Sequence, residues 1–89
     1  MNLRTVILAF LAGRYPAAYT EEVILARVNA AGMLKRSATG DEVIAALEHL
    51  GGPLKAVRGE PDPVSEKVYW SATADGTRLW ANDGRLHVH

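Results

Sequence analysis

The hydrophobic periodicity of the chain changes at Gly51-Gly52-Pro53, and this change is what most limits the folds available to it. Before this segment, apolar residues recur every three or four positions, which is the spacing of amphipathic helices with one buried face. After it, short runs rich in β-branched and aromatic residues have the period of two that is typical of strands. At 89 residues the chain has room for one domain only. The sequence therefore predicts helices first and strands second, packed around a single core.

Three helices are predicted before the change of period. The first ends at Gly13 and Pro16, and the second begins at an N-cap, Thr20. The third covers residues 39–50, where Thr39 and Glu42 have the spacing of a capping box. The apolar residues assigned to the three helices are, in order, Leu3, Val6, Ile7, Phe10 and Leu11, then Val23, Ile24, Ala26, Val28 and Ala31, then Val43, Ile44, Leu47 and Leu50. In the connector at 33–38, Met33 and Leu34 are predicted to enter the core.

Two strands and a short helix are predicted after the change of period. The strands lie at residues 54–58 and 66–72, and the turn-rich segment 59–65 between them makes a hairpin with a long tip. Thr73 has the position of an N-cap for a last short helix. Because a two-stranded hairpin is marginal alone, we expect it to pack on the helices, which gives an α+β domain at 1–81 followed by a flexible tail at 82–89.

The segment Trp70-Ser71-Ala72-Thr73-Ala74-Asp75-Gly76-Thr77-Arg78-Leu79 resembles a known motif. It is similar to the aromatic-x-apolar-Thr-x-x-Gly-x-x-Leu exit from the wing in MarR- and PadR-like regulators. Ala72 is smaller than the aliphatic residue usual in those families. The resemblance implies a winged helix: a three-helix bundle with a two-stranded β-hairpin wing and a short C-terminal helix. It also implies that residues 39–50 are the recognition helix, which lies in the DNA major groove, and that 59–65 are the wing tip.

The charge pattern does not match that of a strong DNA-binding helix. The net charge of the chain is zero, but residues 1–38 carry five basic and two acidic side chains, a net charge of +3. Residues 39–50 carry three acidic side chains and no Lys or Arg, a net charge of −3. Since Lys and Arg drive DNA binding by displacing counterions, an acidic recognition helix weakens the expectation that this chain binds DNA.

Two functional hypotheses follow from the fold and the charges. The first is a winged-helix DNA-binding protein, a transcriptional regulator that contacts mainly phosphates. Its candidate DNA-binding residues surround the third helix: Lys35, Arg36, Ser37, Thr39, His49, Lys55, Arg58 and Lys67. The second is a winged-helix protein-interaction module that does not bind DNA and uses the acidic helix through Asp41, Glu42, Ala45 and Glu48. A third interpretation, an accessory protein of a phage or mobile element, has no residue of its own in support.

Other classes of function are disfavoured by what the sequence lacks. There is no cysteine, no nucleophile motif and no phosphate-binding glycine loop, so we expect neither an enzyme nor a cofactor. His87 and His89 have no evident third metal ligand, and no apolar stretch approaches the length of a membrane span. We therefore expect a cytoplasmic protein without a metal site. Trp80 on the last helix suits a homodimer interface formed by the terminal helices.

Overall fold

The computed structural model describes residues 2–81, which form an α+β domain with four helices and a three-stranded antiparallel sheet. The helices are α1 (Leu3–Ala12), α2 (Glu21–Ala30), α3 (Gly40–Gly51) and α4 (Ala74–Leu79). The strands are β1 (Tyr19–Thr20), β2 (Val57–Pro61) and β3 (Val68–Ala72). The α+β class predicted from the sequence is confirmed, whereas the tail predicted at 82–89 lies outside the described residues.

Each helix begins at a side-chain cap. Asn2, Thr20, Thr39 and Thr73 each accept a hydrogen bond from a backbone N–H three residues later, which satisfies a donor that the helix itself leaves unpaired. At α3 the predicted capping box is complete, because the Glu42 carboxylate also accepts from the Thr39 N–H at 3.0 Å. The caps predicted at Thr20, Thr39 and Thr73 are therefore confirmed.

The sheet contains one strand more than the sequence predicts. Strand β3 is central and pairs with β2 over five residues, from Val57 opposite Ala72 to Pro61 opposite Val68. On its other edge it pairs with β1, where Tyr19 lies opposite Trp70. The prediction of a two-stranded hairpin was incomplete, since β1 ties the segment between α1 and α2 to the sheet.

The first hairpin strand was placed too early in the sequence. Lys55 has a φ of +51°, a conformation in which the chain turns, so the strand begins at Val57 instead of residue 54. It then continues through Gly59 to Pro61, residues that suggested a loop. Pro61 is tolerated there because β2 is an edge strand. Gly59 fits because it has no side chain, since a Cβ at this position would lie 2.9 Å from the Trp70 ring.

The core lies between the helices and the inner face of the sheet. Its largest fully buried side chains are Ile7, Leu8, Leu11, Ile24, Val28, Val43, Leu47 and Leu50. Three of the large apolar residues assigned to the helices and the connector are instead exposed: Val23 at 38%, Ile44 at 41% and Met33 at 47% of their surface. On α3 the small Ala46 takes the buried position beside Leu47, because the helix turns that side toward α1 and α2. Leu34, as predicted, packs partly against the core.

A close backbone approach joins α4 to the start of β2. The Thr73 hydroxyl accepts from the Gly76 N–H at 2.9 Å and donates to the Lys55 carbonyl at 2.8 Å. The Thr73 N–H donates to the Ala56 carbonyl at 2.9 Å. A Cβ on Gly76 would lie 2.7 Å from the carbonyl carbon of Ala56 and would overlap its oxygen. Glycine is therefore required at position 76 for the helix to lie this close to the sheet.

Candidate protein-interaction surface

The outward side of α3 combines two apolar residues with two carboxylates. Asp41, Ile44, Ala45 and Glu48 are all exposed and follow one another at i, i+3, i+4 and i+7, so they form one stripe along the helix, which we call the α3 surface. Within residues 2–81 neither Asp41 nor Glu48 takes part in an ion pair. The α3 surface therefore presents a small apolar centre between two negative charges.

A groove of about 280 Å³ adjoins the α3 surface at Ile44. Its apolar walls are Ile44 from α3 and Val68 and Trp70 from β3. The N-terminal turn of α2 contributes Glu21 and Glu22 to the rim. A single apolar side chain fits into such a groove. Lys67 also lines it and pairs with Glu22, so among residues 2–81 Glu21 is the rim carboxylate without an ion-pair partner, and it favours a cation beside that side chain.

The N-terminal end of α3 holds the first group of predicted DNA contacts. Arg36 donates to both carboxylate oxygens of Glu42, at 2.7 and 3.1 Å, and to the Ser37 carbonyl at 3.3 Å. The hydrogen bonds from Arg36, together with the Thr39 N–H, lower the pKa of Glu42 to about 2, from an ordinary value of 4.5. Both groups of the pair are therefore charged at neutral pH, and the pair adds no net charge to this end of the helix.

The hairpin cations are also matched by carboxylates. Arg58 on β2 pairs with Glu60 on the same strand. Lys67 pairs at 3.3 Å with Glu22 at the start of α2. Exposed pairs of this kind contribute little to stability, but each cancels the positive field that a phosphate would meet.

The eight predicted DNA-binding residues lie in three parts of the fold. Immediately before α3 lie Lys35, Arg36, Ser37 and Thr39. Beyond the last turn of α3, Lys55 and Arg58 line a shallow cavity to which Glu48 also contributes. Lys67 lies in the groove beside Glu21 and Glu22, and His49 is half-buried in the last turn of α3. Among these residues, only Lys35 and Lys55 are exposed cations without an ion-pair partner in the described part of the chain.

The residues of the protein-binding hypothesis form a more continuous group. Asp41, Ala45 and Glu48 lie together on the α3 surface, and Glu42 lies next to them in its pair with Arg36. Sequence reasoning missed Ile44, Val68 and Trp70 as parts of this site. The alternation of Val68 and Trp70 on β3 did place them on one face of the strand, but their proximity to α3 depends on how the sheet packs.

Three further observations concern the other predicted partners and ligands. Trp80 at the end of α4 is half-buried against the core, and a homodimer through it stays a prediction. Within residues 2–81, no helix has the length and apolar character to cross a membrane. Over the same residues, no group of three or more His, Asp or Glu side chains is arranged to hold a metal ion.

Comparison of the chain with protein-family models, with curated protein sequences and with solved structures finds no significant match.

Proposed function

We propose that this chain is a winged-helix domain that binds a protein partner through the α3 surface and the adjoining groove. The order of the elements, α1-β1-α2-α3-β2-β3-α4, and the sheet order β1-β3-β2 support the winged-helix assignment. Two positions of the wing-exit motif have a structural role here, which supports the resemblance. The motif's threonine, Thr73, caps α4, and its glycine, Gly76, allows α4 to lie close to the backbone of Ala56.

The observation that carries the proposed function is the exposed stripe on α3. A helix that reads DNA presents donors for phosphates and base edges, whereas this stripe presents Asp41, Ile44, Ala45 and Glu48. Ile44 has 41% of its surface exposed beside an apolar groove, which is more typical of a surface that buries an apolar partner. The expected partner is a protein segment that carries an apolar side chain next to Lys or Arg.

A peptide titration tests this proposal. The probe is a synthetic amphipathic helical peptide of Leu and Lys, and the matched probe replaces every Lys by Glu. We expect the Lys peptide to shift the backbone amide NMR signals of residues 40–48 and 68–70 in labelled protein, and the Glu peptide to leave them unchanged. Shifts scattered over the whole surface, or equal shifts with both peptides, would contradict the proposal.

Two variants make the titration specific to the α3 surface. Ile44→Ser removes the exposed apolar group and Glu48→Lys reverses a charge, and we expect each to weaken binding of the Lys peptide by about fivefold, near 1 kcal/mol. Val64→Ser is the matched control for the first, since Val64 is 90% exposed at the hairpin turn. Glu66→Lys, in the same turn, is the control for the second and should keep the affinity of the native protein.

DNA binding is the second candidate, and one observation favours it. Lys35 and Lys55 lie before and after α3, and both are exposed cations without an ion-pair partner in the described residues. Two phosphate contacts at these positions would contribute about −1.8 to the slope of log K against log salt concentration. If the chain binds a mixed-sequence duplex, Lys35→Ala with Lys55→Ala should flatten the slope by that amount. No anisotropy change with labelled duplex, even at low salt, would eliminate this candidate.

A further inference from the structure

A second apolar groove lies between α1 and α2 and has the opposite charge to the α3 surface. Its volume is about 400 Å³, and seven of its nine lining residues are apolar. The other two are Arg14 and Arg27, and no carboxylate lines it. Met33, which belongs to this lining, leaves 47% of its surface exposed. This groove shares no lining residue with the groove beside the α3 surface.

The arginines of the α1–α2 groove are arranged to meet carboxylates. The guanidinium of Arg14 lies over the Phe10 ring, 4.4 Å from its centroid, and donates to the Phe10 carbonyl at 3.4 Å. These contacts orient the guanidinium while using one of its five N–H donors. Arg27 lies in the last turn of α2 and has no ion-pair partner within residues 2–81. The groove therefore suits a helix that presents apolar residues flanked by acidic ones.

The α3 surface has this pattern. Ile44 and Ala45 lie between Asp41 and Glu48, and seven residues of helix separate the two carboxylates by about 10 Å. Every molecule of the chain carries both surfaces, so the two are present at equal concentration. The zero net charge of the chain means that copies do not repel one another as they approach.

We infer that the α3 surface of one molecule docks in the α1–α2 groove of a second copy of the chain. The inference rests on the proposed function, since it assigns the partner of the α3 surface. If both contacts form between the same two molecules, the product is a two-fold symmetric dimer. If they do not, the contacts join molecules head to tail. In both arrangements Ile44 and Met33 lose their exposure to water, and Asp41 and Glu48 meet Arg14 and Arg27.

Sedimentation velocity tests the inference with the intact chain. A single helix in a groove is a small interface, so we expect the mean sedimentation coefficient to rise between about 10 μM and about 1 mM. Raising the salt concentration should reduce this rise, because the charges lie at an exposed rim. A coefficient that stays at the monomer value over the whole concentration range, at low salt, would overturn the inference.

Charge reversal identifies the two surfaces. One variant carries Arg14→Glu with Arg27→Glu, and the other carries Asp41→Lys with Glu48→Lys; each should remain monomeric alone. Mixed in equal amounts they should associate again, because the two reversed surfaces match each other and the native α3 surface of the first variant matches the native groove of the second. Association of either variant alone, or no association of the mixture, would contradict the inference. Circular dichroism verifies that both variants are folded.

Two control variants distinguish the effect of these surfaces on association from the effect of net charge. Arg4→Glu with Arg78→Glu, and Glu60→Lys with Glu66→Lys, make the same changes in net charge at residues outside both surfaces. Each control variant should keep most of the native rise in sedimentation coefficient; equal loss in controls and surface variants would overturn the inference. A monomeric native chain that still binds the Lys peptide at α3 would refute self-association and leave the proposed function intact. Loss of peptide binding would refute the proposed function itself.

Discussion

Replacing Gly76 by alanine tests the contact that fixes α4 on the sheet. The added Cβ would lie 2.7 Å from the carbonyl carbon of Ala56 and 2.9 Å from its Cα, where nonbonded carbon atoms prefer about 3.5–4.0 Å. These two carbons, and the carbonyl oxygen that the Cβ would overlap, are backbone atoms, so no side chain can move aside. The helix must shift by about 1 Å, which strains the hydrogen bonds of Thr73 to Lys55 and Ala56.

The expected loss of stability follows from three contributions. Overpacking a tight site costs about 1–3 kcal/mol, and one weakened hydrogen bond adds about 1 kcal/mol. Alanine gains about 1 kcal/mol over glycine in helix propensity, which offsets part of this loss. The net decrease in the free energy of unfolding is about 1–3 kcal/mol for Gly76→Ala. In a domain of this size, that lowers the melting temperature by about 5–25 °C.

Urea and thermal unfolding followed by circular dichroism measure this change, with Gly51→Ala as the control. A Cβ on Gly51 meets its nearest atom, the Val57 carbonyl oxygen, at 3.4 Å, which is an ordinary contact. This control should keep the native stability or gain up to about 1 kcal/mol, because Gly51 is the last residue of α3. A Gly76→Ala variant within about 0.5 kcal/mol of the native chain would refute the close approach of α4 to β2.

Four further substitutions test the core, the ion pair and the cap. Leu47→Ala should cost about 2–5 kcal/mol in urea unfolding and Ile44→Ala less than about 1, since only Leu47 is fully buried; equal costs would contradict the orientation of α3. Arg36→Ala should raise the pKa of Glu42 from about 2 toward 4.5, as measured by the pH dependence of its carboxyl NMR signal. An unchanged pKa would contradict the ion pair between Arg36 and Glu42. Because the folded pKa is the lower one, the stability that this carboxylate contributes is present above about pH 4.5 and is lost as the pH falls toward 2. Thr73→Ala should cost about 1–2 kcal/mol in urea unfolding by removing the cap of α4, and a loss below about 0.5 kcal/mol would contradict that role.

Local signals in the sequence predicted the helices well. The capping box at Thr39 and Glu42 and the cap at Thr73 depend on residues three positions apart, so they can be identified from the local sequence alone. The local sequence did not determine which side of α3 faces the core. The apolar spacing placed Ile44 in the buried stripe together with Val43, Leu47 and Leu50. Packing against α1 and α2 instead buries the smaller Ala46.

The strands depended more on contacts distant in sequence. A strand of two residues, such as Tyr19–Thr20, is too short to show a period and exists because β3 pairs with it. Gly59 suggested a turn, but its missing side chain makes room for the Trp70 ring on the neighbouring strand. Lys55 suggested a strand, but the chain turns there with a φ of +51°. In each case the tertiary contact overrides the local preference.

The candidate site could be predicted in its residue types but not in its electrostatics. The cations around α3 were identifiable from the sequence, and so was the acidic character of that helix. The pairing of Lys67 was not, because Lys67 and Glu22 are 45 residues apart and meet only when β3 packs beside α2. The exposure of Ile44 followed from the same packing. These two facts support the proposed protein partner over DNA.

A paired NMR titration tests the central claim most directly. One labelled sample receives a mixed-sequence DNA duplex and a second receives the Leu-Lys peptide, both at low salt, where binding to phosphates is strongest. We predict that the peptide shifts the amide signals of residues 40–48 and 68–70, while the duplex leaves them in place. Duplex-induced shifts along α3 and the hairpin that fade as the salt concentration rises, with no response to the peptide, would contradict the claim and establish α3 as a DNA-binding helix.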